Sequence, residues 1–191
     1  MKKYCAIRHL LVYVPEKYES RIITRSGFEF YKDTIFAGVS DTVRSGLIVS
    51  VPDGHDYLQD EDIVFFHHNI THEPFNYDGQ RERSSFVIDG TEGIYYIPMG
   101  QEMIYAIERN GVFSALDGYG FVRDVYNKSE FGSIKAEHIG EMVYPSGSLT
   151  CLGIKKGDHV VLSNYAEYPF KIYNEQLYRV REKYIFGKWT R

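Results

Sequence analysis

Four landmarks occur twice, in one order, along the 191-residue chain, and this duplication constrains its fold more than any other feature. An apolar run at residues 7–14 has its counterpart at 120–125. The Gly-led run 46–52 matches 140–145, each ending near a proline. Glu61-Asp62-Ile63-Val64-Phe65 matches the stretch 156–162 around Gly157-Asp158-His159-Val160. Tyr95-Tyr96-Ile97 followed by Ile104-Tyr105-Ala106 matches 176–180 followed by Tyr184-Ile185-Phe186. An offset of about 95 residues is too long for a solenoid period and fits a duplicated domain. The boundary falls near Asn110-Gly111, giving domains at residues 1–110 and 111–191.

The repeated segments read as strands. Ile7 to Val14 is β-branched and apolar, and Pro15 stops it because proline cannot donate to a ladder. Residues 47–51 lie between Gly46 and Pro52-Asp53-Gly54, and residues 63–66 follow the acidic turn at 59–62. Asp78-Gly79 and Asp89-Gly90 mark hairpin turns within the polar excursion 71–93. The 17 tyrosines and 12 phenylalanines favour pleated surfaces where a ring packs across strands. The best helical stripe, residues 99–109, is short and carries Gly100 near its start. The expected fold is all-β, with Val49, Ile63, Phe65, Val143, Val160 and Leu162 in the cores.

Charge and motif content narrow the function. The net charge of -4 arises from interspersed acids and bases, which provides no footprint for nucleic acid or an anionic membrane. No apolar segment has the length to span a bilayer, and Arg8 and His9 break the stretch that follows Met1-Lys2-Lys3, so no signal peptide is read there. Cys5 and Cys151 match no zinc or redox spacing and read as buried or half-buried thiols in a reducing compartment. The protein is therefore expected in the cytoplasm of a cell or of a virus-infected host. No nucleophile elbow, phosphate loop or dinucleotide fingerprint occurs, so no enzyme activity and no cofactor are expected. His67-His68 with His72-Glu73 is the one cluster with metal-ligand character. Adjacent histidines on a strand point to opposite faces, so only His68 and His72 could share an ion, and a surface or subunit contact is the preferred reading.

The second repeat then shows a longer ordered pattern: Gly140-Glu141-Met142-Val143, a Gly-rich connector, Ile154 to Leu162 with Gly157-Asp158, Tyr165-Ala166, Lys171-Ile172, Gln176-Leu177-Tyr178-Arg179-Val180-Arg181-Glu182, and Ile185. This resembles the core of the GroES-type (chaperonin-10) co-chaperonins and covers most of residues 115–187. The first repeat resembles the family more loosely. There Glu61 replaces the usual glycine before the turn aspartate, and a segment at 71–93 is inserted where the family has a shorter roof. The resemblance implies two tandem, partly open β-barrels, assembly into a homo-oligomeric ring, and capping of an Hsp60-type chaperonin through a mobile loop between the first two strands.

In the first repeat that loop position is residues 16–45, and in the second it is 126–139, about half as long, with Phe131, Ile134 and Ile139 as its strongly apolar members. Family loops dock through a short hydrophobic sequence after a glycine, which Gly27-Phe28-Glu29-Phe30 matches most nearly. Ile22-Ile23 and Ile35-Phe36 are alternative anchors. A competing reading packs these aromatics as an extra hairpin on their own barrel. A rival function is an architectural or virion-assembly adaptor that reuses the duplicated barrel without binding a chaperonin, because fold alone does not determine function.

Overall fold

The computed structural model describes residues 4–16, 21–23, 29–31, 42–100, 102–129, 132–164, 166–173 and 175–189. The chain divides into two compact units, Met1–Asn110 and Gly111–Arg191. The first unit contributes β1 (His9–Tyr13), β2 (Arg21–Ile23), β3 (Glu29–Tyr31), β4 (Ser45–Ser50), β5 (Ile63–Phe66), β6 (Val87–Asp89), β7 (Ile94–Pro98) and β8 (Ile104–Arg109). The second contributes β9 (Val112–Ala115), β10 (Tyr119–Ser129), β11 (Gly132–Pro145), the short helix α1 (Gly147–Cys151), β12 (His159–Leu162), β13 (Tyr168–Ile172), β14 (Glu175–Arg181) and β15 (Ile185–Lys188). The fold is all-β, built from two antiparallel sheets. Their strand orders are β6-β7-β1-β4-β5-β8-β9 and β13-β14-β10-β11-β12-β15, with β2 and β3 forming a separate pair.

The two sheets share one topology. Replacing β1, β4, β5, β6, β7 and β8 by β10, β11, β12, β13, β14 and β15 converts the first six strands of one order into the other. Irregularities recur as well. The ladder between the first two strands shifts register at Leu11/Val12 and at Phe121/Val122. The ladder to the last strand shifts at Phe65/Phe66 and at Val161/Leu162. Even the glycines correspond. A Cβ on Gly46 would stand 2.9 Å from Val14 Cγ2, and one on Gly140 would stand 2.9 Å from Val122 Cγ2. Both strands pass so close to the first strand of their sheet that only glycine fits there.

The turn before the third strand of each repeat explains the one departure noted at Glu61. Gly157 holds φ +87°, donates to Met142 O at 2.7 Å, and is followed by Asp158, whose carboxylate accepts from the Lys155 amide at 2.7 Å. Glu61 holds φ +73°, donates to Ile48 O at 3.0 Å, and is followed by Asp62, whose carboxylate accepts from the Gln59 amide at 2.9 Å. Each aspartate also meets a cation, Arg109 of β8 at 2.6 Å from Asp62 and Lys188 of β15 at 2.6 Å from Asp158. The Arg109 guanidinium holds the Asp62 carboxyl below its usual range against the opposing effect of burial. Glu61 thus sits in a left-handed conformation that costs a non-glycine residue about 1–2 kcal/mol. Glu61→Gly removes that strain but adds unfolded-chain entropy of roughly 0.5–1 kcal/mol. The net expectation is a gain of about 0.5–1 kcal/mol, read as a rise of a few degrees in the thermal midpoint.

The cores follow strand alternation. Leu10, Val12, Ile48, Val64, Phe66 and Ile97 are buried in the first unit. Val122, Met142, Leu149, Ile154, Val160, Leu162, Ala166 and Val180 form one cluster in the second. Phe65, Val143, Val160 and Leu162 are buried as expected, but Val49 and Ile63 are only half-buried. In β4 it is Gly46 and Ile48 that face the core, so Leu47 and Val49 take the other side. Ile63 stands at the open start of β5. The expectation of buried or half-buried cysteines is overturned: both Cys5 and Cys151 are exposed free thiols. Cys151 ends α1, whose buried residue is Leu149, and Cys5 precedes the first strand.

Candidate functional site

The β1–β4 connection of the first unit carries the residues singled out as partner anchors. Ile22 and Ile23 lie on β2 and Phe30 lies on β3, and the antiparallel register sets Ile22 opposite Phe30, Ile23 opposite Glu29 and Arg21 opposite Tyr31. Short β-branched and aromatic runs flank Ser26-Gly27, which is the composition of a hairpin. The backbone therefore brings two of the three anchor groups, Ile22-Ile23 and Phe30, to one ribbon. Gly27, Phe28, Ile35 and Phe36 lie outside the described residues. The connection returns to the sheet through Thr42–Arg44, where Val43 O accepts from the Thr71 hydroxyl at 2.7 Å and Arg44 O accepts from the Phe66 amide at 2.9 Å.

The corresponding stretch of the second unit, read from sequence as a shortened loop, is instead a continuation of β10 and β11. Their ladder runs on from Tyr126↔Lys135 to Ser129↔Gly132. Between Asp124↔Gly140 and Tyr126↔Lys135 one residue of β10 faces four of β11, and His138 there takes φ +60°. Such a bulge redirects a strand. A polar clamp holds its base: Lys135 Nζ lies 2.7 Å from Asp124 and 2.9 Å from Glu167, and stands over the Tyr178 ring at 4.8 Å. The Tyr178 hydroxyl donates to Asp124 at 3.2 Å. Burial works against the Lys135 charge, but the two carboxylates outweigh it and raise its pKa. Each repeat thus projects chain from the same point of its topology, as a loop with a separate hairpin in one and as a clamped ribbon in the other.

The inserted roof segment forms an arm on the first unit alone. Phe75 bridges to Arg81 around a turn in which the Asn76 side chain accepts from the Asp78 and Gln80 amides at 3.0 and 2.9 Å. The Arg81 guanidinium covers the Phe75 ring at 4.8 Å. Phe75 is 52% exposed and Tyr77 is fully exposed. In the second unit only residues 163–167 occupy the corresponding position between β12 and β13.

The histidines at the foot of this arm differ from expectation. Strand β5 ends at Phe66, and His67 caps a 3-10 turn at His68–Ile70 by accepting from the Asn69 amide at 3.1 Å. The opposite-face argument for adjacent strand residues therefore does not apply, and the His67 and His68 rings lie 4.1 Å apart. The His68 and His72 rings are 6.2 Å apart. Among the described residues no group of three or more His, Cys, Asp or Glu is placed to hold a metal ion. No helix among them is long and apolar enough to cross a membrane.

The chain matches no protein-family model and no curated protein. What points to function is therefore its own geometry. The arm at 71–85 and the ribbon at 126–139 were weakly marked in sequence. Asn76 before Asp78-Gly79 was the available signal for the first, and the polar-apolar alternation Ser133-Ile134-Lys135-Ala136-Glu137 of β11 for the second.

Proposed function

We propose that the chain is a co-chaperonin-like protein of GroES type, which caps an Hsp60-type chaperonin ring through an apolar mobile loop and so assists protein folding. The observation that carries this reading is the six-strand order repeated in both units, with a chain projection inserted between the first two strands of each repeat. That is where the resembled family keeps its docking loop. The first-unit loop, with Ile22, Ile23, Gly27, Phe28, Phe30, Ile35 and Phe36, is the proposed contact. No catalytic step or cofactor enters this function.

A capping ring needs repeated head-to-tail contacts between copies. Strand β15 ends the six-stranded sheet, and an edge strand offers backbone donors and acceptors to a neighbour. Phe186 on that strand is 72% exposed, which adds apolar area to such a contact. The adaptor reading draws on a different feature, the first-unit arm that presents Phe75 and Tyr77. Affinity capture with an Hsp60-type chaperonin separates the two. A co-chaperonin is retained only when the chaperonin holds nucleotide, whereas an adaptor is not retained in either state and co-purifies with assembled particles.

A further inference from the structure

The foot of the arm and the returning end of the long loop meet at three histidines. The His68 ring lies 4.1 Å from His67 on its own turn and 6.2 Å from His72 at the start of the arm, and it feels the charge of Arg44 on the loop end. His72 faces Arg81 and Glu73. The His67 ring abuts Tyr105 of β8 at 6.3 Å. Two hydrogen bonds close the junction, from the Thr71 hydroxyl to Val43 O and from the Phe66 amide to Arg44 O. His72 Nδ1 is shielded from solvent and accepts no hydrogen bond among the described residues. A proton added to His68 or His72 would place a cation beside Arg44 or Arg81, with Glu73 as the opposing acid.

We infer that His68 and His72 form an acid-sensitive latch that holds residues 42–44, the returning end of the long loop, against the foot of the arm, and that their protonation releases it. Neutral rings pack here without cost, His67 tilted against His68 and His72 edge-on to it, while charged rings bring like charges together in a partly dehydrated site. Burial first, then His67, Arg44 and His72, push the His68 pKa down to about 4, and burial and Arg81 lower His72 against the pull of Glu73. The sign follows from linkage. Groups that resist protonation in the closed state contribute full stability above their ordinary pKa near 6.5, and lose it progressively as pH falls toward 4. The latch itself is independent of the co-chaperonin reading, and only its consequence, pH control over how the docking loop is tethered, rests on it.

Native-state hydrogen exchange tests the latch without any chaperonin present. After correction for intrinsic rates, protection of the Phe66 amide should fall about 30- to 100-fold between pH 7.5 and 4.5, which is what a shift from 6.5 to about 4 yields at His68. The Ile48 and Met142 amides, which donate to Asp62 O and Asp158 O, should change several-fold less. His68→Gln should remove most of the Phe66 response. Equal loss at all three amides, no loss at Phe66, or an undiminished loss in the variant overturns the proposal. Should the variant not fold, an NMR titration of the His68 ring in the unaltered protein decides: a midpoint well below 6 supports the latch, and one near 6.5 overturns it.

Discussion

Gly93→Ala is expected to lower the unfolding free energy by about 2–5 kcal/mol, the largest effect of a methyl group added at any described glycine of the first unit. Gly93 holds φ +68°, and its carbonyl accepts from the Val14 amide at 2.8 Å. A Cβ built there runs into the backbone oxygen of Val14, which has no rotamer to give way. The left-handed backbone costs alanine about 1–2 kcal/mol. Relieving the overlap by moving the β1 end or the β7 start costs roughly 1–3 kcal/mol more. Domain stabilities are about 5–15 kcal/mol, so this one change leaves the unit marginal. Gly100 supplies the control, because a Cβ there meets nothing within 4 Å. Gly100→Ala should stay within about 0.5 kcal/mol of the parent. Urea unfolding of the two variants checks the pair, and equal midpoints would show that the Gly93 geometry is not what holds β1 against β7.

The double change Phe28→Ser and Phe30→Ser is expected to abolish chaperonin capping while leaving oligomer mass and thermal unfolding nearly unchanged. Burying one aromatic side chain contributes roughly 1.5–3 kcal/mol. Ordering a flexible segment costs about 2–5 kcal/mol. On the co-chaperonin reading, one loop would therefore bind weakly, and capping would depend on several loops of one ring acting together through effective concentration. Because each loop loses both aromatics at once, the deficit multiplies around the ring and the complex disappears rather than weakens. Retention of capping would move the anchor to Ile22-Ile23 or Ile35-Phe36. Unfolding of the variant would mean that the aromatics belong to the core of their own unit, the hairpin reading that competes with docking.

Most strands of both sheets were legible because their signals are local, whereas the short strands β6 and β9 were not expected. Ile63 to Phe66 is bounded by an acidic turn and matches β5 residue for residue, and Pro15 closes β1 two residues late. The order of the landmarks carried the topology, since equal landmarks in equal order produced equal strand neighbours. What the sequence hid depends on tertiary detail. The facing of Val49 against Ile48 is a one-residue phase, and the apolar run Leu47-Ile48-Val49 does not reveal it. The clamp of Lys135 on Asp124 and Glu167 joins residues up to 43 positions apart, which no local pattern exposes. At the candidate site, the apolar composition of residues 16–45 was plain from sequence, while the pairing of Ile22 with Phe30 needed the fold.

The most direct test of the co-chaperonin reading is sedimentation velocity of the protein, alone and mixed with an Hsp60-type chaperonin, with and without ATP. The protein alone should sediment as a homo-oligomer. It should join the chaperonin boundary when ATP is present and leave it when nucleotide is withdrawn. A monomer that never enters the chaperonin boundary in either nucleotide state would contradict that reading.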